Sequence, residues 1–249
     1  MIDKVQPLEA ATTLKQDASW MGSIISRLRK HFGKIMWAKS KDSFEILVAT
    51  ILSQNTSDVN SHRAFRELKK AMKLTPQVLA EKPLGEIKQA IRTAGLAEIK
   101  AKRLKEASKF ILRELGGNLS KVFNLPPEES RNFLLRLPGV GDKTADVILV
   151  FAGGIPVVPV DTHLFTIGKR LGLTASSRYQ DVRAAYERLI PPKERAEAHV
   201  LFIELGKKIC TARNPKHEAC PILDLCPTGL KSVSQVDDEA ERRLSDTGM

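Results

Sequence analysis

The sequence predicts an all-α protein, and three observations carry that prediction. Apolar residues recur at helical spacing through most of the chain. No stretch shows the apolar/polar alternation of a half-buried strand. Acidic residues or proline open the periodic stretches, and glycine closes several of them. The length of 249 residues suits one large domain or two small ones sharing an interface. With 42% hydrophobic but only 5% aromatic residues, the core must be mainly aliphatic.

Each element can be justified in turn. "ASWMGSIISRLRKHF" sets Met21, Ile24, Ile25 and Leu28 on one face. "DSFEILVATILSQ" repeats the rhythm with Phe44, Leu47, Val48 and Ile51, and Asp42 followed by Glu45 resembles a capping box. "IKAKRLKEASKFILREL" continues it through Leu104, Ala107, Ile111 and Leu115 until Gly116 and Gly117 stop the helix. "PPEESRNFLLRL" starts with proline and acid, as a helix N-terminus prefers. "KTADVILVFA", "DTHLFTIGKRLGL", "DVRAAYERLI" and "AEAHVLFIELGKKIC" read as further helices. "IPVVPV" is β-branched, but its two prolines make it an extended connector. The charged, aromatic-free residues 230–249 are expected to be mobile, as are the first dozen.

Charge narrows the function. Lys+Arg outnumber Asp+Glu by 40 to 29, a net +11, which favours a polyanionic partner, nucleic acid being the commonest. The alternative is a merely soluble basic protein. The longest uncharged run, Val147 to Val160, is 14 residues broken by glycine and proline, which reads as core and not as a membrane span. The start "MIDKVQPLEA" lacks an apolar signal region, and three cysteines near the C-terminus make no secreted disulfide framework. A cytoplasmic, nucleoid-associated chain is expected, or a nuclear one if the source has a nucleus.

"LPGVGDKTAD", Leu137 to Asp146, carries the chemistry. A helix ends near Leu137, Pro138 to Gly141 form a hairpin, and a second helix starts near Asp142. Gly139 and Gly141 can take positive φ and admit a second backbone closely. With Val140 between them, their amides and those of the new helix suit a DNA phosphate. An ordinary helix-to-helix turn would look the same on "PGVG" alone. Lys143 shifts the balance: it lies in the first turn, where the helix dipole disfavours a cation. That position should lower its pKa and supply free amine able to form a Schiff base with a sugar. A lysine binding phosphate as a point charge is the alternative. Eighteen positions later, Asp161 in "VDTHLF" reads as an N-cap whose carboxylate can also stabilise positive charge building on a sugar.

With these motifs and the cysteine-rich C-terminus, the chain resembles the endonuclease III branch of the helix-hairpin-helix DNA glycosylases, from about Trp37 to Cys226. The resemblance implies two helical domains with a DNA-binding cleft between them. One is a six-helix domain over residues 36–155, and the other is formed by residues 1–35 and 156–229. It implies a bifunctional DNA glycosylase/AP lyase in base excision repair, with Lys143 as nucleophile and Asp161 as the carboxylate. The partner implied is double-stranded DNA holding a damaged base, an oxidised pyrimidine by expectation, or an abasic site, bound by a monomer. "LSQNTSD" resembles the loop that fills the gap left by a flipped base, with Gln54 or Asn55 inserting. "GLAEIKAKRL" resembles another family stretch. Lys100, Lys102 and Arg103 there either touch phosphates or form a solvated face. His163 and His199 read as packing or hydrogen-bonding histidines and not as catalysts.

Relatives close with four cysteines spaced C-x6-C-x2-C-x5-C around a 4Fe-4S cluster. Here Cys210, His217, Cys220 and Cys226 occupy those places. Three readings follow: a Cys3His 4Fe-4S cluster, a Cys3His zinc site, or a lost metal. Lys207, Lys208, Arg213 and Lys216 on this loop are placed to meet the DNA backbone. Two rivals stand beside the whole reading: a mismatch- or uracil-directed glycosylase of the same fold, and a non-catalytic helix-hairpin-helix binding module.

Overall fold

The structure, a computed structural model, describes residues 16–35 and 42–232. The expected mobility of the termini falls mostly on residues outside these, as does the boundary at residue 36. Among the described residues there is no strand; the chain is helices joined by turns and short 3-10 segments. The helices are α1 (Ala18–Phe32), α2 (Ser43–Ser53), α3 (Asp58–Ala71), α4 (Pro76–Glu81), α5 (Leu84–Ala90) and α6 (Ala97–Leu115). They are followed by α7 (Pro127–Leu135), α8 (Asp142–Phe151), α9 (Thr162–Arg170), α10 (Tyr179–Leu189) and α11 (Arg195–Lys208).

Local chemistry sets the ends. Asp17 caps α1 by accepting from Trp20 N, and Asp42 caps α2 by accepting from Phe44 N and Glu45 N. Ser57 and Thr75 do the same for α3 and α4. Gly116 ends α6 in the left-handed region at φ 62°.

Two apolar cores result. The first gathers Phe44, Leu47, Val48 and Ile51 of α2 with Leu104 and Ile111 of α6 and Ile148 of α8. The second gathers Met21, Ile24 and Leu28 of α1 with Leu164 of α9, Tyr186 of α10 and Phe202 of α11. The residues that the periodicity assigned to helix faces are the ones buried, with Leu115 half-buried at the end of α6, because dewetting those faces drives the packing. The chain passes from the first core to the second through residues 155–160. That stretch is extended without pairing, because its prolines at 156 and 159 have no N–H to give a ladder. No helix among the described residues is long and apolar enough to cross a membrane.

Candidate active site at two helix starts

Beyond α7 the chain tightens into short-range bonds through the hairpin, with Leu137 and Val140 buried in the first core. Leu137 N donates to Leu134 O at 3.1 Å, and Val140 N donates to Leu137 O at 3.0 Å. The Val140 side chain is buried in the first core, so it anchors the turn and does not face a ligand. Gly139 has φ +83°, and a Cβ there would lie 2.7 Å from Arg103 Cδ. Gly141 differs from expectation: its backbone is extended (φ −106°), and a Cβ there would meet open space. Only Gly139 uses the left-handed region, because one such residue suffices to reverse the chain.

No side chain caps α8. Its first-turn N–H groups, which have no intrahelical partner, are left to the cavity in front of them. That cavity, about 490 Å³, is lined by Gln54, Arg103 and the run from Gly139 to Thr144. Behind the opening, Arg131 binds Asp142 (2.5 Å) and the fully buried Asp146 (2.9 Å), fixing the first turn from inside.

Lys143, second residue of α8, is half-buried at the helix start. Burial lowers its pKa from the usual lysine range; Asp161 and Asp58 oppose the shift, and Lys207 adds to it. Asp161 caps α9, accepting from Leu164 N at 2.9 Å. The N-cap reading of Asp161 holds geometrically, and its charge also acts on Lys143. His199 is completely buried beneath the pair, where burial lowers its pKa to about 4 and keeps the ring neutral. Its ring meets Phe151 at 5.8 Å, and it also hydrogen-bonds to the backbone of Pro159. His163 packs closely over Gly206, where a Cβ would come within 2.6 Å of it.

Sequence reading missed one partner of this group. Asp58, at the start of α3, binds Lys207 Nζ at 2.5 Å across 149 residues. Lys207, expected on the DNA backbone, is thus also tied across the mouth of the site. Only the final aspartate of "LSQNTSD" hinted at this, and its partner lies too far along the chain for any local pattern.

The loop after α2 separates Gln54 from Asn55. Gln54 Nε2 donates to Gly139 O (2.9 Å), and its Oε1 accepts from Arg103 Nη1 (3.1 Å), so this side chain ties the loop to the hairpin. Asn55 is exposed at φ +52°. The other non-glycine residue with positive φ among those described is Leu96 (φ +48°), 54% exposed. The two loops touch, since a Cβ on Gly95 would sit 3.8 Å from Thr56 Oγ1. Lys100 is a correction. It is 1% exposed, and its ammonium donates to Leu52 O (2.8 Å) and Ala94 O (2.7 Å). It closes the ends of two helical segments from inside and cannot reach a phosphate.

In the C-terminal loop, Cys210, Cys220 and Cys226 are half-buried against the second core, with His217 in a short 3-10 turn between them. Burial, reinforced by the neighbouring Cys210, pushes the thiols of Cys220 and Cys226 up. Arg170 Nη1 donates to Cys210 Sγ (3.1 Å), and Gly229 N donates to Cys226 Sγ (3.4 Å). Such N–H donors suit thiolates held by iron. Among the described residues, no three His, Cys, Asp or Glu side chains converge as ligands of one ion. Three thiols and one imidazole on this loop, with N–H donors at two of the sulfurs, are a donor set that fits an iron-sulfur cluster.

An open helix start that suits phosphate, with a half-buried amine and a carboxylate nearby, suits an enzyme acting on the DNA backbone sugar. Residues 48–192 match the family model described as HhH-GPD superfamily base excision DNA repair protein, which defines the class. The chain belongs to this superfamily, in its endonuclease III branch. Residues 210–226 match the iron-sulfur binding domain of endonuclease III. Endonuclease III of Bacillus subtilis (strain 168) is 35% identical over 192 residues, 76% of this chain and 82% of the relative. That of Escherichia coli (strain K12) is 32% identical over 183 residues, 74% and 82% of the two chains. A solved structure of a trapped endonuclease III-DNA covalent intermediate superimposes with TM-score 0.76 at 29% identity, covering 87% of this chain and 98% of that one.

Proposed function

We propose that Lys143 is the nucleophile and Asp161 the stabilising carboxylate of a bifunctional DNA glycosylase/AP lyase. The observation that carries this is a half-buried amine at an uncapped helix start, with the α9 cap carboxylate acting on it. A flipped damaged nucleotide, an oxidised pyrimidine by this reading, presents its sugar to Lys143 Nζ. The N-glycosidic bond breaks as the amine attacks, the base leaves with the bonding pair, and Asp161 stabilises the cationic sugar. The C1′–N bond having formed with loss of an amine proton, the C1′–O4′ bond opens and O4′ takes a proton to leave a Schiff base; β-elimination then removes a C2′ proton and expels the 3′ phosphate, breaking the strand 3′ to the site. The α8 amides, with Gly139 and Gly141, hold a phosphate of double-stranded DNA. Exposed Asn55, not Gln54, fills the gap left by the base, and Leu96 enters the stack beside it. Both hold a strained left-handed backbone on adjoining loops. We read the two cores as two domains, 36–155 and 1–35 with 156–229, acting as a cytoplasmic or nuclear monomer.

Cys210, His217, Cys220 and Cys226 would hold the cluster as a 4Fe-4S centre with Cys3His ligation. It would brace the loop carrying Arg213 and Lys216 toward DNA. Protein purified without oxygen should be brown with about four irons per chain; colourless protein with one zinc would overturn the cluster and keep the ligands.

Borohydride reduction tests the central assignment. Wild type with an abasic duplex should give a covalent adduct that Lys143→Ala does not give. An equally abundant adduct in the variant would remove Lys143 from the role.

A further inference from the structure

The buried network behind the hairpin does more than neutralise charge. Asp146, on α8 three residues after Lys143, is fully buried and accepts from Arg131 Nε (2.9 Å) and from Tyr179 Oη (2.7 Å). Arg183 Nη1 lies 3.6 Å from the same carboxylate. Tyr179, first residue of α10, uses its hydroxyl a second time: it accepts from Val160 N at 3.1 Å. Val160 is buried and immediately precedes Asp161. Two hydrogen bonds therefore connect the helix that bears Lys143 to the backbone that carries Asp161.

The connector is shaped for this. Val158 N donates to Glu187 Oε1 (2.9 Å) and Val160 N to Tyr179, both on α10, while Pro159 between them has no N–H to direct elsewhere. Glu187 in turn accepts from Arg183 Nε (2.8 Å), so both anchors belong to one charged cluster. The Tyr179 ring is set by an edge contact with Phe165 of α9 (6.4 Å). Lys143 and Asp161 come from elements of different cores. Their separation is fixed only if something rigid spans the junction, and a small misplacement of reacting groups is costly.

We propose that Asp146 and Tyr179 form a positioning relay that sets the Asp161 carboxylate against the Lys143 amine. Tyr179 touches neither substrate nor reacting atom; it acts through Val160 on Asp161. This rests on the Lys143–Asp161 reading above.

Single-turnover excision from a lesion duplex, at saturating protein, should be compared for wild type, Tyr179→Phe, Asp161→Asn and the double variant. Tyr179→Phe keeps the ring contact and removes the hydroxyl. It should slow excision by about 10-fold or more while abasic-DNA affinity stays within about twofold. In the Asp161→Asn background the same change should cost less than about threefold, because residues acting through one group are not additive. An equal loss in both backgrounds would overturn the relay and leave a purely structural tyrosine. A wild-type rate for Asp161→Asn would instead overturn the carboxylate assignment. Should Tyr179→Phe fail to fold, hydrogen exchange on the wild-type chain decides. The Val160 amide should be protected like core helix amides, and exchange at the speed of a surface amide would mean the bond is not made.

Discussion

The starts of α8 and α9 face the same site and are finished in opposite ways. Both present the positive end of a helix dipole. At α9 the fold supplies its own anion, and Asp161 accepts from Leu164 N. At α8 no side chain caps the turn: the first-turn carboxylate of Asp142 is held by Arg131, and a lysine stands second in the helix. The comparison teaches that an open helix end reserves its amides for an external anion. The chain's own carboxylate is placed one helix away, where it can act on the amine without occupying the phosphate seat.

The largest effect should come from erasing the anion of the closed start. Asp161→Asn keeps a capping oxygen but loses the charge, and excision should slow by roughly 10²–10³ in single turnover with lesion binding retained. Asp161→Ala should add loss of the cap, about 1 kcal/mol of stability measured by urea unfolding. An unchanged rate for the asparagine variant would leave Asp161 a cap alone.

The open start can be deformed next. Gly139→Ala forces a side chain into φ +83° and against Arg103 Cδ, and should lower stability by about 1–3 kcal/mol. Gly141→Ala should be nearly silent in unfolding but weaken DNA binding, because its Cβ would enter the space before the amides. Equal destabilisation by the two would contradict the assignment of the turn to Gly139 alone.

A smaller effect should follow from the bridge at the mouth. Lys207 pushes the Lys143 pKa down, while Asp58 holds it up. Lys207→Gln should therefore move the rise of Schiff-base formation to higher pH, and Asp58→Asn to lower pH, because only the free amine attacks. Rates at neutral pH would fall for the first and rise for the second. Shifts of the reverse sign would contradict the charge arrangement.

Much of this was legible in the sequence. The helix faces were visible because burial follows the 3.6-residue period, and the hairpin because proline and glycine punctuate it. Lys143 stood out as a cation at a helix start, and Asp161 as a cap after a proline-rich connector. What stayed hidden depended on distance or on backbone conformation. Lys100 reads as a surface cation until the fold places two free carbonyls around it. Gln54 and Asn55 are equivalent as a string, and only the turn of φ to +52° exposes one and leaves the other bound to the hairpin. Both glycines of "PGVG" permit positive φ, but only one is required to use it. The Asp58–Lys207 pair and the Tyr179 hydroxyl join residues far apart in the chain, which no local spacing encodes.

Lys143 is an amine made reactive by its partly desolvated place at the start of α8. Its pKa can be measured directly, from the pH dependence of the initial rate of borohydride trapping on an abasic duplex at saturating protein. An inflection well below the ordinary lysine value of about 10.4 is predicted, moving upward in Lys207→Gln. An inflection at the ordinary value, unmoved by that substitution, would contradict it.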